Sequence, residues 1–331
     1  MPEPITALDK RISRIPPVLA VGGRFGKYSP ETDRDVRKPD VKQDEKLARM
    51  LEAWKAAHHT DIFVSPHYQW YDFSENAIKD LEYSAQDVER FVIALHEYQD
   101  EEHFSSRAGY FISALINNCR DDEFALHLEA MEGIAHLGEQ NTKNLIIHGN
   151  AGSSLGHSMI SGSITLFGDA GDHLAFGMKD GEVVVKGNAR ESAGHGMKGG
   201  VVVIEGNATS RPGDHMEGGR LVVGGNAGWQ PGFEMHGGLL WIKGNAQGNV
   251  GAIMKDGFVL VEGDGGDEPG TWMSGGRISI KGNVGKDVGD YMSGGELHIG
   301  GNYESLSIER AYGRPAARGK IYHQGMLIMD R

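Results

Sequence analysis

Cysteine is nearly absent from this sequence, since Cys119 is the only one among 331 residues. A single cysteine excludes an intrachain disulfide, and chains without disulfides are typical of reducing compartments. The sequence also lacks any run of about 18 apolar residues, and its first residues contain no apolar segment of the length that a secretory signal needs. We therefore expect a cytoplasmic protein that does not span a membrane.

Basic residues are in the minority. There are 33 lysines and arginines against 46 aspartates and glutamates, which gives a net charge of −13. This excess of negative charge disfavours non-specific binding to nucleic acid or to an anionic membrane surface. We expect neither of these as a partner.

Glycine is the abundant residue, and its distribution divides the chain in two. Of the 49 glycines, 40 lie between Gly149 and Gly301, and only nine lie elsewhere. The two parts must therefore be built differently.

The glycine-rich part repeats every 19 residues. A glycine followed by Asn or Asp recurs at Gly149, Gly168, Gly187, Gly206, Gly225, Gly244, Gly263, Gly282 and Gly301. A methionine follows ten residues after each of the first eight, at Met159, Met178, Met197, Met216, Met235, Met254, Met273 and Met292. Each of these methionines is followed three residues later by another glycine. A fixed period of this kind is the signature of a solenoid.

Each repeat unit contains one short alternating segment of β-branched residues, such as 182–185, and the remainder has no helical period. Such a unit is too short for a helix and suits one coil of a β-helix, with glycines at the turns. The sequence predicts an all-β, right-handed parallel β-helix of about eight coils over residues 144–302. The fifth and seventh residues after each methionine are apolar and should point inward, and the methionines should form a second interior ladder. A thioether metal site is the alternative interpretation of that ladder.

The unit Gly168-Asp169-Ala170-Gly171, followed by Met178 and its glycines, carries a resemblance to a known family. It resembles the glycine-rich repeat domain that is shared by the C-type subunit of formylmethanofuran dehydrogenase and the C-terminal domain of the glutamate synthase large subunit. The resemblance implies that the β-helix is a structural piece and that chemistry resides on other domains or subunits. It implies flavin, iron–sulfur, molybdopterin or zinc cofactors on partner subunits and none bound by this chain.

The N-terminal part predicts a different architecture. Prolines and glycines over 1–39 indicate an irregular arm, and residues 40–143 indicate an α-helical domain. One helix should run from Asp40 to about His58, and another should begin at a capping box formed by Ser84 and Asp87 and run on to Asn117. A further helix is expected over about 122–140, and residues 303–331 are expected to form a C-terminal cap or tail.

The helical domain contains one candidate metal site. On a continuous helix, His96, Asp100 and His103 would share a face, and Glu132 and His136 could complete the site from the next helix. The alternative is a solvated acidic face, which such charged runs usually form. Whether the two helices face each other is not encoded in the pattern.

Four other motifs have simpler explanations. The G-x-S-x-G match around Ser154 is accounted for by repeat glycines and is not followed by a helical pattern. The glycines around Arg24 lack the spacing of a phosphate loop. The basic residues Arg310, Arg314, Arg318 and Lys320 favour a face paired with the acidic body. The histidines at 157, 195, 215 and 236 do not share one repeat position in adjacent coils, which favours surface residues.

The outward-facing positions four and six residues after each methionine are polar in the terminal coils, and most of those between them are apolar. The apolar strip consists of Val184, Val201, Val203, Val222, Leu239, Trp241, Phe258 and Leu260. A continuous exposed apolar patch marks a contact surface. We expect this strip to be covered, either by the protein's own helical domain or by another chain.

The sequence thus predicts a non-catalytic scaffold subunit of an enzyme complex, which associates with other protein subunits or with further copies of itself. The alternative is a free-standing enzyme that uses the helical-domain metal site or a groove on the β-helix. An enzyme of that kind needs acids or histidines that converge on adjacent coils.

Overall fold

The computed structural model describes residues 45–57, 69–307 and 319–330. The predicted arm over 1–39, the glycine segment around Arg24 and the arginines Arg310, Arg314 and Arg318 lie outside these ranges.

Four α-helices precede the solenoid in the described part of the chain: α1 (Glu45–Ala57), α2 (Gln69–Ile78), α3 (Ala85–Ala94) and α4 (Phe104–Asn118). Helix α1 buries Leu47, Met50 and Trp54, whose spacings of three and four residues place them on one face. Helix α3 begins at the predicted capping box, in which the side chain of Ser84 accepts from the backbone N–H of Asp87 and the Asp87 carboxylate accepts from that of Ser84. Two orphan N–H groups of the first turn are thereby satisfied.

The helical core is aromatic. The indole of Trp54 makes edge contacts with the rings of Phe91, Phe104 and Phe111 at centroid distances of 6.5, 6.1 and 5.6 Å. These four rings come from three different helices, and edge-to-face pairs stabilise packing beyond the area they bury. Trp54 therefore joins α1 to α3 and α4.

Two predicted helices differ from those observed. The helix from Ser84 does not continue to Asn117, because α3 ends at Ala94 and is followed by a 3₁₀ turn at Leu95–Tyr98. The helix expected over 122–140 is wrong, since this segment contains strand β1 (Glu123–His127). Phe124 and Leu128 are both buried, and a four-residue spacing fits either one face of a helix or alternate positions of a strand. The solenoid therefore begins within the segment predicted to be helical.

The remaining strands are β2 (Asn144–His148), β3 (Ser163–Phe167), β4 (Glu182–Val185), β5 (Val201–Ile204), β6 (Arg220–Val223), β7 (Ala227–Trp229), β8 (His236–Ile242), β9 (Ala246–Gly248), β10 (Asp256–Val261), β11 (Ser274–Ile280), β12 (Gly294–Ile299), β13 (Lys320–His323) and β14 (Met326–Asp330). Of the fourteen strands in the described part of the chain, twelve form one sheet in the order β1-β2-β3-β4-β5-β6-β8-β10-β11-β12-β13-β14. Adjacent strands in this sheet are parallel, except that β13 and β14 are antiparallel.

The register of this sheet is set by the repeat. From β2 to β12 a residue pairs with the residue 19 positions later, as Leu145 does with Ile164, except at two strand starts where the offset is 20, His236 with Asp256 and Ser274 with Gly294. The offset is 21 residues between β1 and β2 and 24 between β12 and β13. The chain forms a parallel β-solenoid of about nine turns, which confirms the predicted β-helix and extends the predicted eight coils at their N-terminal end.

The interior of the solenoid is as predicted. The inward pairs of the eight coils and all eight repeat methionines are at most 2% exposed. The glycine three residues after each methionine has a positive φ, for example 77° at Gly219. A Cβ there would lie 2.8 Å from the Cε methyl of Met197 in the preceding coil. Glycine and methionine therefore recur together because each coil's glycine makes room for the methionine of the coil before it.

The Gly-Asn motif forms a hydrogen-bonded corner. Oδ1 of each Asn or Asp accepts a hydrogen bond from the backbone N–H of the equivalent residue in the next coil. The N···Oδ1 distances are 2.6–2.9 Å. The ladder runs through Asn150, Asp169, Asn188, Asn207, Asn226, Asn245, Asp264, Asn283 and Asn302. The preceding glycine is required because a Cβ at Gly206 would lie 2.6 Å from Oδ1 of Asn188. This polar ladder is structural and was not predicted.

Within the described residues, no helix combines the length and the apolarity that crossing a lipid bilayer requires.

Met216→Asp is expected to prevent folding, because an unpaired carboxylate at a position that is 0% exposed costs several kcal/mol. Met216→Leu, which conserves volume, is expected to cost less than about 1.5 kcal/mol. Circular dichroism and thermal melting distinguish the two. A β-rich Met216→Asp protein with an unchanged melting temperature would contradict the inward orientation of the methionines.

Asn226→Ala is expected to lower the free energy of unfolding by about 0.5–1.5 kcal/mol, because it removes the side-chain acceptor of the exposed N–H of Asn245. Asn226→Asp is the control and is expected to lose less, since Asp169 and Asp264 already serve in the same ladder. Urea denaturation measures both. Equal stability of Asn226→Ala and the unchanged protein would show that the ladder contributes nothing.

Candidate functional site

Histidines and carboxylates form a column along one corner of the solenoid. Two residues before the repeat methionine, successive coils place His157, Phe176, His195 and Asp214. Glu139 precedes them in the same register, because the N–H of Gln140 donates to the carbonyl of His157 as that of Ser158 donates to Phe176. Together with His136 and His215, these residues are called the histidine column below.

The first group of the column is His136, Glu139 and His157. Oε2 of the buried Glu139 lies 2.6 Å from Nδ1 of His157. The ring of His136 stacks on that of Tyr110 at a centroid distance of 4.5 Å, which ties the column to helix α4. One ligand atom from each of the three residues lies within 4.8 Å of the others.

Phe176 separates this group from the next. Its ring centroid is 5.1 Å from that of His157 and 4.8 Å from that of His195, and its plane is tilted by only 6° from the His195 ring. The apolar ring therefore packs against one histidine of each group.

The second group is His195, Asp214 and His215. Asp214 is 4% exposed, and its two carboxylate oxygens face two imidazoles. Oδ2 lies 3.1 Å from Nδ1 of His195, and Oδ1 is hydrogen-bonded to Nδ1 of His215. The other ring nitrogen of His215, Nε2, lies 3.1 Å from Oε2 of Glu234, and Oε1 of Glu234 accepts from Nζ of Lys255 at 2.7 Å.

The charges around the column are set by these contacts. The hydrogen bond from Lys255, together with its positive charge, holds the pKa of Glu234 below its usual value, so Glu234 is ionised at neutral pH. Burial raises the pKa of the Tyr110 phenol beside His136, so that phenol stays neutral. Burial also raises the pKa of the Cys119 thiol, which therefore is not a thiolate nucleophile.

The arrangement has a definite chemical capacity. A carboxylate at Nδ1 of a neutral histidine fixes the proton there and leaves the lone pair on Nε2. In His157 that nitrogen can accept a proton or coordinate a metal ion, whereas beside Asp214 an ion that takes the place of the shared proton would have both the carboxylate and the imidazole as ligands. Imidazole supported by a carboxylate is also the arrangement found around bound metals.

The metal candidate in the helical domain rests on a helix that is interrupted. His96 lies in the 3₁₀ turn, Asp100 lies in the turn after it, and His103 has a left-handed φ of 58° just before α4. Because these three residues have different backbone conformations, their side chains do not share the helical face that the spacing predicts. Glu132 is exposed in the first coil, and only His136 enters a cluster of potential ligands among the described residues.

The apolar strip lies on the outward face of strands β4 to β10. Val222 and Leu260 are buried, because Trp241 lies between them in the sheet register, and the other six residues are half-buried. Nε1 of Trp241 donates to Oε1 of Glu262 at 3.0 Å. The centre of the strip is therefore apolar, and the one polar atom of the Trp241 side chain is already hydrogen-bonded.

Ser154 lies in a turn of the solenoid with a φ of 63°. The next element in the described chain is strand β3, so the strand–turn–helix geometry that exposes an esterase nucleophile is not formed there.

The histidine column was missed from the sequence because histidines were compared only with histidines. Asp214 follows His195 by 19 residues, which is one repeat, and this pairing of unlike residues was visible in the sequence. The pairing of Glu139 with His157 was not visible, because these residues are 18 apart and the first coil was predicted to be helical.

Comparison with known proteins supports the repeat domain. Residues 130–261 match the protein-family model described as the GXGXG motif. The matched segment lies within the solenoid, starts inside the first coil and covers less than half of the chain. It supports the glycine-rich repeat domain as such and names neither formylmethanofuran dehydrogenase nor glutamate synthase. The chain matches no curated protein.

The purified protein is expected not to hydrolyse short-chain esters through Ser154. Assays with a chromogenic acetyl or butyryl ester check this, with Ser154→Ala as the partner variant and Ser158→Ala as its control. Hydrolysis that disappears in Ser154→Ala but persists in Ser158→Ala would contradict the expectation.

Proposed function

We propose that this chain is a structural subunit of a larger enzyme assembly and that its solenoid binds a partner protein through the apolar strip. The glycine-rich GXGXG match is consistent with assemblies of the glutamate synthase or formylmethanofuran dehydrogenase kind. In such an assembly the redox cofactors belong to the partner chains. The observation that carries the proposal is the half-exposed apolar strip across neighbouring strands.

The strip is apolar only in the middle of the solenoid. At the same repeat positions the first coil has Ser163 and Thr165, and the last coils have Arg277, Glu296 and His298. These end residues contact each other: Nη2 of Arg277 lies 2.6 Å from Oε2 of Glu296, which also lies 3.3 Å from Nε2 of His298. The fold thus accepts polar side chains at these positions, so the apolar residues between them are not required by the coil geometry.

Charged side chains border the strip. Two residues beyond it along the strands, Nζ of Lys186 lies 2.6 Å from Oε1 of Glu205, and Nζ of Lys281 lies 3.6 Å from Oε1 of Glu262. Nζ of Lys243 lies 5.3 Å from the ring of Trp241. An apolar centre with aromatic anchors and a polar rim is the usual anatomy of a protein–protein interface.

Coverage by the protein's own helices is the less supported alternative. Helix α3 packs against β1, and within the described residues the six half-buried strip side chains keep part of their surface exposed. We therefore assign the strip to a second protein chain that presents an apolar surface.

Trp241→Glu is expected to abolish association while leaving the solenoid folded, because it places a charge at the centre of the apolar surface. Ser279→Glu is the matched control, since it adds the same charge at the same repeat position in a polar coil. Light scattering and native mass spectrometry of the chain with its copurifying proteins give the assembly state. Unchanged assembly of Trp241→Glu would contradict the proposal, and a purely homo-oligomeric wild type would contradict the hetero-subunit assignment.

A second candidate function is catalysis on the solenoid itself. The observation that favours it is the histidine column, in which carboxylates and imidazoles converge from adjacent coils. This is the groove-type alternative predicted from the sequence.

A further inference from the structure

We propose that His195, Asp214 and His215 form a binding site for a divalent transition metal ion of the zinc type. This goes beyond the scaffold role and differs from the sequence-based expectation that the chain itself binds no cofactor. The proposal rests on the donor set, its outer support and its burial.

The donor set is two imidazoles and one carboxylate. One ligand atom from each of the three residues lies within 4.8 Å of the other two. Two histidines with one carboxylate is a ligand set of catalytic zinc sites and of non-haem iron sites, whereas Mg²⁺ and Ca²⁺ prefer oxygen ligands throughout. The set therefore selects a transition metal.

The fold supplies the spacing of the donors. His195 and Asp214 are equivalent residues of adjacent coils, 19 positions apart, and His215 follows Asp214 directly. The backbone N–H of Gly196 donates to the carbonyl of Asp214 at 2.9 Å, which fixes the two coils against each other beside the donors. The site thus stands on rigid backbone, as preorganised ligands require.

His215 has the outer partner of a metal ligand. Its Nδ1 faces Asp214, and its Nε2 lies 3.1 Å from Oε2 of Glu234. Glu234 accepts at its other oxygen from Lys255, at 2.7 Å. Metal-bound histidines almost always donate their second ring N–H to such a group, which orients the ring and raises its basicity.

Of the three donors, the carboxylate is buried and the two imidazoles are partly exposed, and this distribution favours a bound ion. The Asp214 side chain is 6% exposed, while those of His195 and His215 are 28% and 41% exposed. A buried carboxylate needs compensation of its charge, and a divalent cation supplies more than two imidazoles do. The exposed edges of the histidines leave a route from solvent.

The first group of the histidine column offers an internal comparison. His136, Glu139 and His157 have the same donor types. The second group differs in that a further carboxylate, Glu234, lies 3.1 Å from Nε2 of His215 and is itself bonded to Lys255. We therefore assign the ion to the second group and use the first as the control.

The test is to treat the full chain with a chelator and then titrate it with Zn²⁺. Isothermal calorimetry measures the binding, and thermal melting measures the change in stability. We expect one tight site and a rise of the melting temperature with Zn²⁺, because an ion that binds only the folded state stabilises it. Affinity should fall as the pH is lowered, since protons compete for the imidazoles. His215→Gln and Asp214→Asn should weaken this site by more than about 100-fold, and Glu234→Gln by about 10- to 100-fold with unchanged stoichiometry.

Glu139→Gln is the matched control and should leave the affinity of the tight site unchanged. His215→Gln carries the decision if Asp214→Asn misfolds, because His215 is half-exposed. The proposal is overturned if the wild type shows no saturable Zn²⁺ binding, if His215→Gln binds as tightly as the wild type, or if Glu139→Gln alone removes the site.

Discussion

The pairing of each residue with the one 19 positions later is the interaction on which the rest of this structure depends. Because this parallel register holds from β2 to β12 apart from two local shifts at strand starts, a residue type that recurs every 19 positions becomes a column in space. The methionines fill the interior in this way, and the asparagines and aspartates bond the corner from coil to coil. The glycines follow from these two columns, since each leaves room for a side chain of the preceding coil.

The same register builds the two surfaces of functional interest. The apolar strip occupies positions four and six after the repeat methionine, and the histidine column occupies the positions just before it. Because the two surfaces use different repeat positions, substitutions at Trp241 and at His215 address them separately. A structural subunit that holds a partner at one surface and a metal ion at the other is compatible with a single constant framework.

Two of the sequence-based predictions placed helices wrongly. The segment 122–140 was predicted to be helical, because Phe124 and Leu128 suit a helix as well as a strand and the 19-residue period is not kept there. The helix expected through His96 ends at Ala94, so the candidate metal ligands of the helical domain do not share one helical face. In contrast, the capping box at Ser84 is a local pattern, and it was predicted.

The sequence by itself determined the period, the solenoid, the inward positions and the apolar strip, because in a stacked fold contact between coils is a simple function of distance along the chain. The tertiary structure alone decided where the first coil begins and how the side chains at the corner are oriented toward one another. The pairing of Glu139 with His157 depends on a coil of irregular length, and the contact of the Asp214 carboxylate with two imidazoles at once depends on the direction of the His195 and His215 side chains. Such contacts are set by side-chain direction and loop length, which a repeat pattern does not specify.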